Sequence, residues 1–220
     1  MTDHSVDADT LLAGDFSVWL RGMQAALAGD AESDVPCGEC TACCRSSQFV
    51  HVGPDEVDAL AHIPAELLFP APMMPEGHVL MGYDEHGCCP MLTERGCSIY
   101  DHRPRTCRTY DCRVFPAAGV APDGAEQQGI AERTRRWRFE HPHELDRVQH
   151  QAVRAAAAFV DRHRSELPAT PPNTTQLAVA AVRVHDTFLC LDAETSEVTL
   201  DHPAIEEVAV ALRRGVRDPE

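Results

Sequence analysis

The octapeptide Cys37–Cys44 reads C-G-E-C-T-A-C-C and places four thiols in one short loop. Two-residue spacing turns successive thiolates toward a common centre, as in zinc ribbons and knuckles. The same spacing opens the ferredoxin run C-x2-C-x2-C-x3-C-P, which holds iron–sulfur clusters. Here the fourth cysteine directly follows the third. Side chains of adjacent residues diverge, so Cys43 and Cys44 are expected to serve different metals or opposite sides of one multinuclear site. The neighbours are Gly, Glu, Thr and Ala rather than an apolar run, which argues against four cysteines buried as small hydrophobes.

A second group answers the first about fifty residues on: Cys88 and Cys89, then Cys97, Cys107 and Cys112, with Cys190 apart in the apolar stretch F-L-C-L. Cys190 is expected to be a buried, inert thiol. The first 30 residues carry no basic n-region and no continuous apolar core, so no secretory signal is expected. The longest apolar runs fall far short of the ~18 residues of a membrane span. The expected compartment is a reducing cytoplasm, where clustered thiols mean metal or redox chemistry rather than disulfides. The short apolar runs thus predict no membrane partner, and the net charge of -16 argues against a phosphate-tracking surface, hence no nucleic acid partner. All 19 basic residues are arginine, and no principle of folding requires that.

The pattern along the chain predicts an α+β fold, mostly helical: a small cysteine-rich core nucleated by metal, with short strands and flanking amphipathic helices. Leu12, Phe16, Trp19, Leu20, Met23 and Leu27 recur at helical spacing over residues 10 to 29, with Gly29 as a stop. Q-F-V-H-V reads as a strand, G-P-D-E-V-D-A-L-A-H-I as a helix, and residues 64–75 as a proline-rich loop. H-V-L-M-G-Y-D-E-H-G-C-C-P reads as a strand entering a turn at Gly87. Residues 117–129 look like a linker. A long helix is expected from His143 to Leu167, another capped by Asn173 or Thr174, and a short one in A-I-E-E-V-A-V-A-L-R-R-G. This divides the chain into an N-terminal helix (1–34), a cysteine-cluster domain (35–116) and a helical region packing on it (117–220).

The run C-G-E-C-T-A-C-C, followed by C-P-M-L, C-S-I-Y-D-H-R-P-R-T-C-R and Y-D-C, resembles the YkgJ-type cysteine-cluster family, the CxxCxxCC zinc- or iron-chelating domain. The resemblance covers residues 35 to 116. It implies a ligand set of Cys37, Cys40, Cys43, Cys44, Cys89, Cys97, Cys107 and Cys112. Ile99, Tyr100, Arg103, Pro104 and Arg108 match as well, and Cys88 is extra to the pattern. Relatives with a similar cluster include flagellin lysine N-methylases, thought to hold an iron–sulfur centre.

Eight thiolates exceed the four positions of one tetrahedral ion. Two four-thiolate sites, one polynuclear site, or one site with spare thiols remain open. Arg103, Arg105, Arg108 and Arg113 lie where guanidinium groups offset thiolate charge. Tyr100 and Tyr110 are candidates to cover the metal, and His86 and His102 are candidate substitute ligands. All-sulfur ligation suits both an iron–sulfur cluster and Zn2+, and the ferredoxin-like run tilts the reading toward iron–sulfur. The functional expectation is a metal-binding protein whose partners are metal ions, with no protein partner named. The alternative is an iron–sulfur-dependent redox or protein-modifying enzyme, for which no catalytic residue can be nominated and no glycine-rich nucleotide fingerprint is present. A thiol redox role for the C-x2-C pairs ranks below both, because it needs a βαβ setting that the flanking sequence does not offer.

Overall fold

The computed structural model describes residues 9–216 apart from 34, 169, 194 and 196. In chain order the elements are β1 (Leu11–Asp15), α1 (Phe16–Ala28), β2 (Val50–Val52), α2 (Val57–His62), β3 (Leu68–Pro70), β4 (Val79–Met81), β5 (Leu92–Thr93), β6 (Gly96–Cys97), α3 (Arg105–Thr109), α4 (Val114–Ala118), α5 (Gln128–Thr134), β7 (Trp137–Glu140), α6 (Glu144–Arg162), α7 (Thr174–Val184), β8 (Leu189–Leu191), β9 (Val198–Leu200) and α8 (Ile205–Val216). This is an α+β fold with short strands in small sheets.

Two apolar cores form, of unequal size. The larger gathers α1, α4, α6, α7 and α8 around Phe16, Leu20, Phe115, Val153, Val160, Val182 and Val208. The buried stripe of α6 runs through Val148, Ala152, Val153, Ala156, Ala157 and Val160 at three- and four-residue spacing. Its alanines face Ala178 and Ala181 of α7, which lets the two backbones approach closely. Leu145 is exposed at the helix start. The N-terminus of α7 is capped as expected: Asn173 Oδ1 accepts from the Gln176 N–H at 2.9 Å. Residues 117–129 are less of a linker than their composition predicts, since α4 ends at Ala118 and α5 begins at Gln128.

The smaller core lies under the antiparallel sheet β2–β4–β3 and holds Val50, Val52, Ala59, Ile63, Met81, Met91 and Ile99. Strands β2 and β4 fall where the alternation predicted them. β3 lies inside the proline-rich stretch, with Pro70 at its last position, where losing a ladder N–H costs least.

The helix expected from residue 10 starts only at Phe16. Leu11–Asp15 instead pair in parallel with Trp137–Glu140, with a bulge between Leu12 and Gly14. Gly14 has φ 87, a left-handed conformation that ends any helical continuation there. Leu12 lies on the outer side of this pair and is 56% exposed. The stop is as expected: Gly29 (φ 83) donates its N–H to Ala25 and Ala26.

His150 on α6 stacks on Phe16 at a 4.3 Å centroid separation and takes a 2.8 Å hydrogen bond between its Nδ1 and Nε2 of His141. Burial lowers its pKa to about 4, the Pro116 carbonyl opposes that, and His141 and Arg154 add to it. The unfolded chain therefore binds this proton more tightly than the native one. Stability carried by the neutral ring is complete above about pH 6.5 and is lost as pH falls toward about 4. Because the ring is partly solvated, the loss is about 1–2 kcal/mol. Thermal melting from pH 7 to pH 4 should show a steeper decline for the wild type than for His150→Leu. Parallel curves would contradict this.

Candidate metal centre

The first cysteine loop folds back on itself in tight turns. The Cys40 N–H reaches the Cys37 carbonyl at 3.1 Å, Gly38 between them has φ 56, and Cys44 N–H reaches the Thr41 carbonyl at 3.0 Å. A 3-10 turn over Cys43–Arg45 follows. The second group is sewn to this loop through its backbone. Cys89 N–H donates to the Cys44 carbonyl at 2.7 Å, and Ser47 N–H to the Gly87 carbonyl at 3.0 Å. Gly87, with φ 75, makes the turn its residue type predicted. Cys97 is paired with Leu92 across the β5–β6 hairpin.

Cys107 is carried by α3, which is fastened to β2 and α2 by two contacts. Thr106 Oγ1 donates to the His51 carbonyl at 2.8 Å, and the Arg105 N–H donates to the buried carboxylate of Glu56. Cys89, Cys97 and Cys107 all pack against the smaller core. Cys112 and Tyr110, by contrast, pack against the larger one, as does Ala42 of the octapeptide.

A buried carboxylate fixes Cys112. Asp111 accepts from Trp19 Nε1 at 2.8 Å and from the Arg113 guanidinium, whose Nη1 also reaches the Ala13 carbonyl at 3.1 Å. Trp137 Nε1 donates to the Cys112 sulfur at 3.3 Å. Arg133 lies 4.9 Å over the Trp137 ring and donates to the carbonyls of Pro36 and Cys37 at 3.2 and 3.1 Å. An open cleft of about 810 Å³ lies here, lined by Cys37, Glu39, Cys40, Gly129, Glu132 and Arg133 among others.

The thiols act on one another's protonation in two sets. Burial pushes Cys37 up, with Cys43 and Cys40 adding to it and Arg133 opposing. Burial likewise pushes Cys112 up to about 12, opposed by the Trp137 N–H and reinforced by Asp111, Cys37 and Cys40. In the other set, Cys107 is pushed up to about 12 by burial and then by Cys89, Cys43 and Cys97. Burial raises Cys89, and Cys97 and Cys43 add to it. The Cys43 thiol donates a hydrogen bond to Cys44, which raises the first and lowers the second. Cys43 acts on both sets, and its hydrogen bond to Cys44 turns the two adjacent thiols toward each other, where divergence was expected.

Several expected neighbours lie elsewhere. Arg105 pairs with Asp55 at 2.5 Å, Arg108 pairs with Glu32, and Arg113 with Asp111. Arg103 covers the exposed ring of Tyr100 at 3.6 Å, though its charge also lowers Cys107. Cys88 turns to the guanidinium of Arg45 at 3.8 Å, and His86 to the side chain of Glu85. Cys190, expected to be buried, is exposed on β8, because that strand pairs only with β9 at the molecular edge. Arg133 and Trp137 carry no spacing signal of their own; only the tertiary fold brings them to the first cysteine loop and to Cys112.

Soft thiolate donors from two loops, partly buried and with an indole N–H on one sulfur, fit zinc or iron. Among the described residues no three of these sulfurs stand within 4.8 Å of one another. The arrangement is that of a metal-chelating domain. Residues 36–135, a little under half of the chain, match the CxxCxxCC family model, described as "Putative zinc- or iron-chelating domain". The match runs past Cys112 to include α5 and Arg133. Searches of the curated proteins and of the solved structures gave no match. Among the described residues no helix is long and apolar enough to cross a membrane.

Asp111→Ala leaves the Arg113 guanidinium buried without its carboxylate and should lower stability by about 3–5 kcal/mol. Asp55→Ala removes an exposed pair with Arg105 and should cost under about 1 kcal/mol. Urea denaturation of both variants gives the comparison; equal losses would contradict a structural role for Asp111.

Proposed function

We propose that the protein is a metal chelator in which eight thiolates hold metal on both sides of the Cys43–Cys44 pair. Cys37, Cys40 and Cys112 form one side and Cys44, Cys89, Cys97 and Cys107 the other, with Cys43 between them. The observation that carries this reading is that Cys112 packs against the larger core and Cys89, Cys97 and Cys107 against the smaller, while Cys43 acts on the protonation of Cys37 on one side and of Cys89 and Cys107 on the other. An iron–sulfur centre is favoured over zinc, because the Trp137 N–H on Cys112 and the guanidiniums of Arg133 and Arg103 beside the thiols are groups that tune a cluster's potential. When bound, the metal supplies redox or Lewis-acid chemistry. The chain's own residues bind it, exclude part of the solvent through Trp137, and balance thiolate charge through Arg133 and Arg103.

A second reading, a redox or protein-modifying enzyme, is favoured by one feature. The open cleft reaches Cys37 and Cys40, giving a substrate a route to that side of the centre.

Elemental analysis and a visible spectrum of anaerobically purified protein decide between the metals. The expected result is iron with acid-labile sulfide and sulfur-to-iron charge-transfer bands. Stoichiometric zinc in a colourless protein would overturn the iron–sulfur assignment and keep the thiolate one. Cys37→Ser and Cys107→Ser should each reduce bound metal, and Cys190→Ser should leave it unchanged. Full metal content in both of the first two variants would overturn the ligand set. Chelation should cost the smaller core most of its stability, since few apolar residues and short strands hold it. Amide hydrogen exchange should then rise in β2–β4 before it rises in α6.

A further inference from the structure

A separate cluster of metal-competent side chains stands on the surface, built from nitrogen and oxygen rather than sulfur. Asp58 and His62 lie one turn apart on α2, and His102 reaches them from the 3-10 turn Tyr100–His102. Their ligand atoms all lie within 4.8 Å of one another, the one such group among the described residues. His102 Nδ1 is 2.8 Å from Asp58 Oδ2, and His62 Nδ1 is 3.6 Å from Asp58 Oδ1. The two imidazoles stack with centroids 3.5 Å apart and planes inclined by 5°.

We propose that Asp58, His62 and His102 form a second metal site, which takes a borderline divalent transition cation such as Zn2+, Ni2+ or Co2+. Two imidazoles and one carboxylate suit such ions and are poor ligands for an iron–sulfur cluster. Two nitrogens bound to one tetrahedral ion at about 2.0–2.1 Å stand about 3.3 Å apart, so a modest splay of the stacked rings opens the site.

The two segments that carry the ligands are held independently of any ion. α2 begins beside Glu56, whose carboxylate accepts from the Gly53 N–H at 2.7 Å and from the Arg105 N–H. The turn bearing His102 follows Ile99, which is buried in the smaller core, and precedes Arg103, whose Nε donates to the Tyr100 carbonyl at 2.6 Å. The ligands are thus brought together by the fold rather than by the ion, which lowers the ordering cost of binding. All three side chains keep solvent contact, at 69% for Asp58, 41% for His62 and 40% for His102. A bound ion would therefore keep a position open to water or a small ligand, as catalytic zinc sites do. His102 belongs to this cluster and bonds to Asp58, not to a thiol.

The site is independent of the thiolate reading, and the experiment separates the two. Full-length protein, as purified with its thiolate metal, is dialysed against Ni2+, and nickel, iron and zinc are counted in the same samples. The wild type should retain about one Ni2+ per chain, and its nickel K-edge absorption should show a first shell of nitrogen and oxygen only. Loss of an outer-shell partner typically weakens a metal site 10–100-fold, so loss of a ligand in His62→Ala or His102→Ala should weaken Ni2+ binding by about tenfold or more. His51→Ala, which disrupts a separate, half-buried histidine pair (His51 Nε2 to His78 Nδ1, 2.9 Å), should leave it unchanged. Equal nickel uptake in the wild type and His62→Ala overturns the proposal, and so does sulfur in the nickel shell. The shell of the wild type decides the matter even if a variant fails to fold. Loss of iron or zinc with no change in nickel would instead count against the thiolate centre.

Discussion

The carboxylate of Asp111 ties the N-terminal segment of the chain to the last cysteine of the motif. It lies between Tyr110 and Cys112, accepts from Trp19 on the first helix, and takes the Arg113 guanidinium that also reaches the Ala13 carbonyl. One buried charge thus ties the N-terminal strand, the first helix and the last cysteine of the motif. A carboxylate at 3% exposure persists only when its lone pairs are filled, and here indole, guanidinium and backbone N–H all contribute. Cys112 follows directly, so the position of its sulfur depends on this network.

Four of the motif's cysteines flank the seam between two cores: Cys112 packs against the large helical one, and Cys89, Cys97 and Cys107 against the small one under a three-stranded sheet. The small core is built from seven buried residues and short strands, which is little apolar area for an independent unit. The backbone bonds from Cys89 to Cys44 and from Ser47 to Gly87 hold its loops to the first cysteine run. Coordination across that seam would add cross-links where burial is thinnest. Metal binding and folding are coupled for this reason in cysteine-rich domains.

The sequence made the helices legible where an apolar stripe meets a cap. α6, α7 and α8 appear where periodicity, Asn173 and the final amphipathic run placed them. The short strands β2 and β4 were legible from alternation. β1 was not, because Leu11–Asp15 share the periodicity of the helix that follows, and only pairing with Trp137–Glu140 distinguishes them. Cys190 was misjudged for a related reason: its apolar neighbours lie on an edge strand whose outer side meets solvent. Arginine clustering among the cysteines also misled, since most of those guanidiniums find carboxylates first.

The sequence alone determined that thiols dominate the chemistry, because C-x2-C-x2-C-C and its downstream partners leave no ordinary structural use for so many cysteines. It also picked out the adjacent pair Cys43 and Cys44 as the centre of the motif, although their thiols turn toward each other and share a hydrogen bond rather than diverging. The tertiary structure alone decided which long-range groups attend them. Trp137 reaches the Cys112 sulfur, Arg133 the Cys37 carbonyl and Trp19 the carboxylate beside Cys112, and Asp58, His62 and His102 meet on one surface, through contacts between segments far apart in the chain. Local spacing carries no information about such contacts, because they follow from how two cores pack and not from the order of residues within either.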